Sequence, residues 1–181
     1  MSTATTTLWA IDPTHSSIQF KVKHLVISTV TGEFTDYSAT VQAPAEGFEG
    51  AKVSFEAQVA SISTGVGQRD DHLRSADFFD AQTYPTLRFE STRFAAKGAD
   101  AFELEGHLTI RDTTLPVVLA VEFGGVVVDP YGQTKAGFEL TGKISRKAFG
   151  LTWNATTEAG GVVVGDEIKL VASVQLVKQA A

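Results

Sequence analysis

Between residues 18 and 26 apolar and polar positions alternate. Ile18, Phe20, Val22, His24 and Val26 fall on one side, and Gln19, Lys21 and Lys23 on the other. A period of two marks a strand with one buried face. The pattern recurs in Val53, Phe55, Ala57 and Val59, and in Leu104, Gly106, Leu108 and Ile110. It returns in Ala136, Phe138, Leu140, Gly142 and Ile144, and in Ile168, Leu170, Ala172, Val174 and Leu176. With further segments at 34–41, 87–94 and 115–123 the chain has about eight strands. Turn signals such as Lys97-Gly98-Ala99-Asp100, Asp129-Pro130-Tyr131-Gly132 and Gly160-Gly161 separate them.

Many strands on short connections imply an antiparallel meander, and closing it into a barrel removes its exposed edges. An open sandwich is the alternative. The pattern around residues 16–30 predicts one long strand and hence a tall barrel. The inner faces mix large residues with small ones, and an eight-stranded barrel either fills with side chains or holds one small ligand. Pattern alone leaves both open.

Alternation stops between Gly65 and Tyr84, where Gln68 to Asp80 reads QRDDHLRSADFFD. Here a short helical excursion is expected near residues 67–80, with Ser75 as a candidate N-cap. The adjacent Phe78 and Phe79 must pack on the barrel or on what it holds.

Composition narrows the function classes. The 181 residues suit one domain spanning 1–181, with 1–8 read as a flexible tail. A net charge of −6 argues against nucleic-acid binding and limits membrane contact to transient visits. No apolar run is long enough for a transmembrane helix. The start, MSTATTTLW, lacks a basic and apolar leader pattern, so the expected location is the cytoplasm. Without cysteine there is no disulfide, thiol catalysis or thiolate metal site.

Candidate chemistry is sparse. His24 lies on the apolar face of the first strand, where it serves either as a core residue or as a partner for a ligand head group. Arg69, His72 and Arg74 gather with Asp70, Asp71, Asp77 and Asp80, forming either an anion-receiving rim or a lid held by internal ion pairs. The four histidines lack metal-ligand spacing, and no nucleophile, dinucleotide or zinc-hydrolase motif occurs. Phe149, Trp153 and Asn154 after Arg146-Lys147 read as a lip or as a plug closing one barrel end.

Several motifs in order resemble the YceI-like family, described as lipocalin-fold polyisoprenoid-binding proteins. They are Trp9-Ala-Ile-Asp12-Pro-Thr-His15-Ser16, Ile18-Gln-Phe20-Lys-Val-Lys-His24, Val30-Thr-Gly32-Glu-Phe34 and the Gln68–Asp80 segment. Tyr84-Pro85, Phe89-Glu-Ser91, Gly106-His-Leu-Thr-Ile110, Ser145-Arg146-Lys-Ala-Phe149-Gly150-Leu-Thr-Trp153-Asn154 and Val164-Gly165-Asp166-Glu167 continue it to about Leu176. The resemblance implies an extended eight-stranded antiparallel barrel, lipocalin-like, with an apolar tunnel for a polyprenyl, quinone-like or fatty-acyl chain. Many members carry an export signal and work in the periplasm; this chain shows none.

The expected lining is Phe20, Val22, His24, Phe34, Phe55, Phe78, Phe89, Leu108, Ile110 and Phe138, with Arg69, His72 and Trp153 at the rim. No catalytic residue, metal or required cofactor is expected; the bound partner is an amphiphilic isoprenoid or fatty-acyl lipid. Two other classes remain. One is an enzyme on a hydrophobic substrate with His24 or His72 as acid/base, and the other is a packed interaction domain, dimerising through exposed Trp9 or Tyr37.

Overall fold

The computed structural model describes residues 5–158 and 160–180. Its first strands are β1 (Thr6–Ile11), β2 (Ser17–His24), β3 (Ser28–Phe34), β4 (Tyr37–Pro44), β5 (Lys52–Gln58) and β6 (Ile62–Ser63). A helix, α1 (Gly67–Arg74), follows. The remaining strands are β7 (Thr86–Ala96), β8 (Ala101–Ile110), β9 (Thr113–Val128), β10 (Thr134–Ser145) and β11 (Val164–Lys178).

These eleven segments form eight staves of one closed antiparallel barrel. β1 and β2 lie end to end along one side of β11, so they are halves of a single bent stave. β3 with β4 makes the second, and β5 with β6 the third. β7 to β11 continue the meander, and pairing of β1 with β11 closes the ring. β9 alone has 16 residues, a contour of about 50 Å.

The three bent staves kink side by side, and side chains replace the ladder bonds lost there. At the first kink Asp12 caps a 3-10 turn, Pro13–His15, by accepting from Thr14 N at 3.0 Å and Thr14 Oγ1 at 2.6 Å. The Thr14 hydroxyl and then His15 hold the Asp12 carboxyl far below the usual carboxylate range. Gln175 N donates to Ser16 Oγ at 2.9 Å, and Tyr37 Oη donates to the Ser16 carbonyl at 3.0 Å. Burial raises the Tyr37 pKa, which keeps this hydroxyl a neutral donor. At the third kink Ser61 Oγ donates to the Gln58 carbonyl at 2.7 Å and accepts from Thr35 N at 3.2 Å, joining the second and third staves.

Several expectations need correction. Residues 16–30 are two strands, because the chain reverses at Leu25–Ile27 and leaves Val26 exposed. The segment 34–41 is broken at Thr35–Asp36 by the second kink. Thr6, Thr7 and Leu8 belong to β1, paired with Pro44, Ala43 and Gln42, because their backbone groups complete the sheet between β4 and β11; residues 1–4 of the expected tail lie outside the described residues. Ser75 ends α1 instead of starting a helix, its hydroxyl donating to the His72 carbonyl at 2.6 Å. Trp9 is buried against Phe48 and Tyr37 is half-buried, so neither offers an exposed dimer face.

One barrel end has an aromatic floor. Phe48 folds in from the β4–β5 loop and meets Trp9 at 5.3 Å and Phe138 at 4.9 Å between ring centroids. The other end has a cap made of α1, the Ser75–Tyr84 segment and the chain from Arg146 to Ala155. Arg111, in the β8–β9 turn, ties two parts of that cap by donating to the Phe78 and Gly150 carbonyls at 3.3 and 3.5 Å.

Candidate functional site

Between floor and cap lies an apolar cavity of about 190 Å³. At roughly 10–15 Å³ per water-sized group in this measure, it accommodates on the order of a dozen methylene-sized groups. Its walls are the inward rows of the staves, including Val53 and Phe55 on β5, Leu119 and Val121 on β9, and Ala172 and Val174 on β11. Gln19 is the one lining residue with a polar side chain. One polar side chain falls short of the roughly two to four partners an ordered water needs, so the void is suited to hydrocarbon.

Small residues shape this interior. A Cβ on Gly106 would stand 2.5 Å from the Phe89 ring and 2.4 Å from the Glu90 carbonyl, so the glycine admits the aromatic ring across the strand pair. Gly142 likewise yields to Leu119, and Gly32 to Phe20. Ring and missing side chain are complementary, which is how rings in the inward rows can coexist with a cavity.

Of the expected lining residues, Phe34, Phe55, Phe89, Leu108 and Phe138 face the cavity. Five others do not. Phe20 packs on Phe34 at the seam toward β3, and Val22 lies beyond it beside Val30 and Ile168. His24 sits at the barrel end opposite Ser28 and Val164, because the hairpin turns immediately after it. Phe78 is buried within the cap against Trp153, at 5.4 Å. Ile110 is buried in the core at the end of β8, outside the cavity wall.

Sequence reasoning missed Phe48 and Phe94 as lining. Phe48 lies in a loop without alternation, and Gly47 and Gly50, at φ 75° and 78°, turn that loop back over the barrel end. A lone aromatic between two glycines was the available signal. Phe94 shares the inward row with Leu87 and Phe89 only because a bulge between Ser91 and Arg93 shifts the phase of β7.

The charged segment is largely satisfied by residues 60–64, which precede it. Arg69 is corrected from a free rim group: its Nε and Nη2 donate to Thr64 Oγ1 and O at 2.7 and 2.8 Å. Buried Asp70 accepts from Thr64 N and Oγ1, and Arg74 donates to the Ala60 and Ile62 carbonyls. His72 remains at the surface. Its Nε2 lies 2.9 Å from Asp77, and its ring meets Trp153 and Phe78 edge-on at 4.6 and 5.1 Å. Among the described residues no group of three or more His, Asp or Glu side chains is placed to hold a metal.

Arg146 and Asn154 build the cap. The buried Arg146 guanidinium donates to the carbonyls of Leu151, Trp153, Val164 and Gly165 at 2.7–3.0 Å. Burial lowers its pKa, with the nearby Asp166 charge opposing that shift. Burial would raise the Asp166 pKa, but donation from Lys147 N and Ser145 Oγ outweighs it and holds the group ionised. Asn154 Oδ1 accepts from the Val163 and Val164 amides at 3.1 Å. Phe149 and Leu151, held by this network, are buried beneath it.

A closed, eight-staved barrel with this cap covers nearly the whole chain, and residues 9–176 match the YceI-like domain. The chain belongs to the YceI-like family. A UPF0312 protein of Azotobacter vinelandii is 35% identical over 165 residues, which cover 91% of this chain and 83% of that protein. The crystal structure of the Campylobacter jejuni YCEI protein is 33% identical, with a TM-score of 0.74 over 88% of this chain and 91% of that one. A polyisoprenoid binding domain from Saccharophagus degradans superimposes with a TM-score of 0.71 over 94% of this chain and 98% of that one. At 14% identity this last likeness shows the shared fold. The strand pattern implied an antiparallel barrel and the family resemblance its lipocalin-like form, and the structure has both.

Proposed function

We propose that this protein binds a long-chain amphiphile, with the hydrocarbon tail in the barrel and the polar head toward the cap. The observation carrying this reading is the 190 Å³ apolar cavity that the inward rows of the staves form above the aromatic floor. A packed interaction domain would fill that space with side chains. The Saccharophagus degradans neighbour, a polyisoprenoid binding domain, supports an isoprenoid as the first chemical class to test.

The size of the cavity sharpens the proposal. About a dozen buried methylenes contribute roughly 10 kcal/mol relative to water, a gross value that ordering and association costs reduce. A volume of this size fits a short prenyl or acyl segment. A longer chain extends through the cap, where His72 and Trp153 form the edge and carry the head-group contacts in this reading. Among the described residues no nucleophile–base pair faces the cavity, so carriage or storage fits it better than turnover.

Native mass spectrometry of freshly purified protein, followed by organic extraction, tests the proposal. A stoichiometric prenyl or acyl lipid, or uptake of one when added, is expected. An empty protein that takes up neither class refutes it.

A further inference from the structure

The β2–β3 turn is unusual in both backbone and side chains. Leu25 and Val26 have φ of 54° and 68°, and Ile27 N donates to the His24 carbonyl at 3.3 Å. A turn with positive φ at both central positions suits Asn-Gly, whereas a β-branched residue there is strained. This turn instead holds three consecutive apolar residues, with Val26 71% and Ile27 84% exposed. Leu25 N donates to the Val163 carbonyl, which brings the exposed Val162 loop beside the tip. Neither strain nor exposure serves the fold of the barrel.

The wall behind this tip is basic although the chain as a whole is acidic. Lys143, Lys169 and Lys21 stand directly opposite one another across β10, β11 and β2. Like charges so placed repel. Lys23 lies one row nearer the tip, and Lys147 follows the adjacent end of β10. Among the carboxylates near these five lysines, Glu167 pairs with Lys143 at 3.6 Å, Asp166 is engaged by Ser145 Oγ and Lys147 N, and Glu33 on β3 lies diagonally across from Lys21. Among the described residues Lys21, Lys23 and Lys169 form no ion pair within 4.0 Å.

The hairpin at the other barrel end provides the contrast. Val126, Val127, Val128 and Tyr131 are also exposed there, but Lys135 is held between Asp12 and Asp129 at 3.5 and 3.4 Å. Apolar exposure occurs at both ends. Only the Leu25–Ile27 end joins it to a cross-strand lysine row in which, among the described residues, Lys21 and Lys169 have no ion-pair partner.

We propose that the Leu25–Ile27 tip and the lysine row behind it dock the capped end of the barrel on an anionic lipid surface. The apolar tip enters the interface while the lysines meet the head groups. No helix among the described residues is long and apolar enough to cross a membrane, and this docking requires none. The proposal rests on the outer surface alone. Vesicle association tests it, while extraction of bound lipid separately tests the contents of the barrel.

The experiment is co-sedimentation of the full chain with vesicles of equal parts phosphatidylglycerol and phosphatidylcholine, compared with pure phosphatidylcholine. Binding to the anionic vesicles, weakened by high salt, is expected. Val26→Ser/Ile27→Ser should weaken it at least about tenfold. Lys21→Gln/Lys169→Gln should do so about 25-fold, near fivefold per lysine. Leu25→Asn/Val26→Gly suits the turn and should keep the protein folded while lowering vesicle binding. Val127→Ser/Tyr131→Ser at the far hairpin should leave binding unchanged. Equal binding to both vesicles, equal loss from the far-hairpin variant, or no binding to either overturns the proposal; the last result would direct attention to a protein partner.

Discussion

Ala172→Phe gives the sharpest test of the lumen. Ala172 lies on β11 between Leu140 of β10 and Ile18 of β2, and its side chain lines the cavity. The substitution projects a phenyl ring into that space and displaces about six of roughly a dozen methylene-sized groups. At about 0.8 kcal/mol per methylene, the ligand loses about 5 kcal/mol of transfer free energy, more than a thousandfold in affinity. If the ligand shifts toward the cap and recovers half, the loss is still roughly 50-fold. The protein itself gains apolar contact, so its melting temperature should stay level or rise. Titration with a fluorescent prenyl or acyl probe beside a thermal melt separates these effects. Thr141→Phe on the outer wall is the control and should leave uptake unchanged. A folded Ala172→Phe protein with less than a tenfold change in affinity would refute the lumen as the binding site.

The remaining predictions concern the framework. Arg146→Met removes a donor from four carbonyls, of which Val164 keeps Asn154 Nδ2, so a loss of about 3 kcal/mol, or some 6–12 °C in melting temperature, is expected; a shift under about 2 °C would contradict that role. Gly106→Ala should cost about 1–3 kcal/mol because Glu90's carbonyl cannot move aside, whereas Gly142→Ala meets the flexible end of Leu119 and should cost less. Denaturant titration of both variants checks that order. For Asp12, the folded-state pKa is depressed, so its ionised form stabilises the fold above the ordinary carboxylate value of 3.8, and that contribution is lost as pH falls through the depressed value. Asp12→Asn should therefore be less stable than the parent near neutral pH, with the gap narrowing progressively below about pH 4. A gap independent of pH would exclude ionisation of Asp12 as its source.

Alternation alone determined the class of this fold. Inward rows such as Leu104 to Ile110 and Ile168 to Leu176 needed only the period of two, because in a one-layer barrel every strand has one dry face. The aromatic lining at Phe34, Phe55, Phe89 and Phe138 was legible for the same reason. Tertiary structure decided what periodicity does not encode. The loop residue Phe48 reaches the floor, the β7 bulge sets the phase of Phe94, and the turn after His24 removes that histidine from the lumen. Charge followed the same division: composition gave a net −6, yet strand register alone placed Lys143, Lys169 and Lys21 side by side. Side-chain period is local, whereas bulges, turns and cross-strand register depend on which distant segments meet, and those meetings bring residues far apart in the chain to one surface.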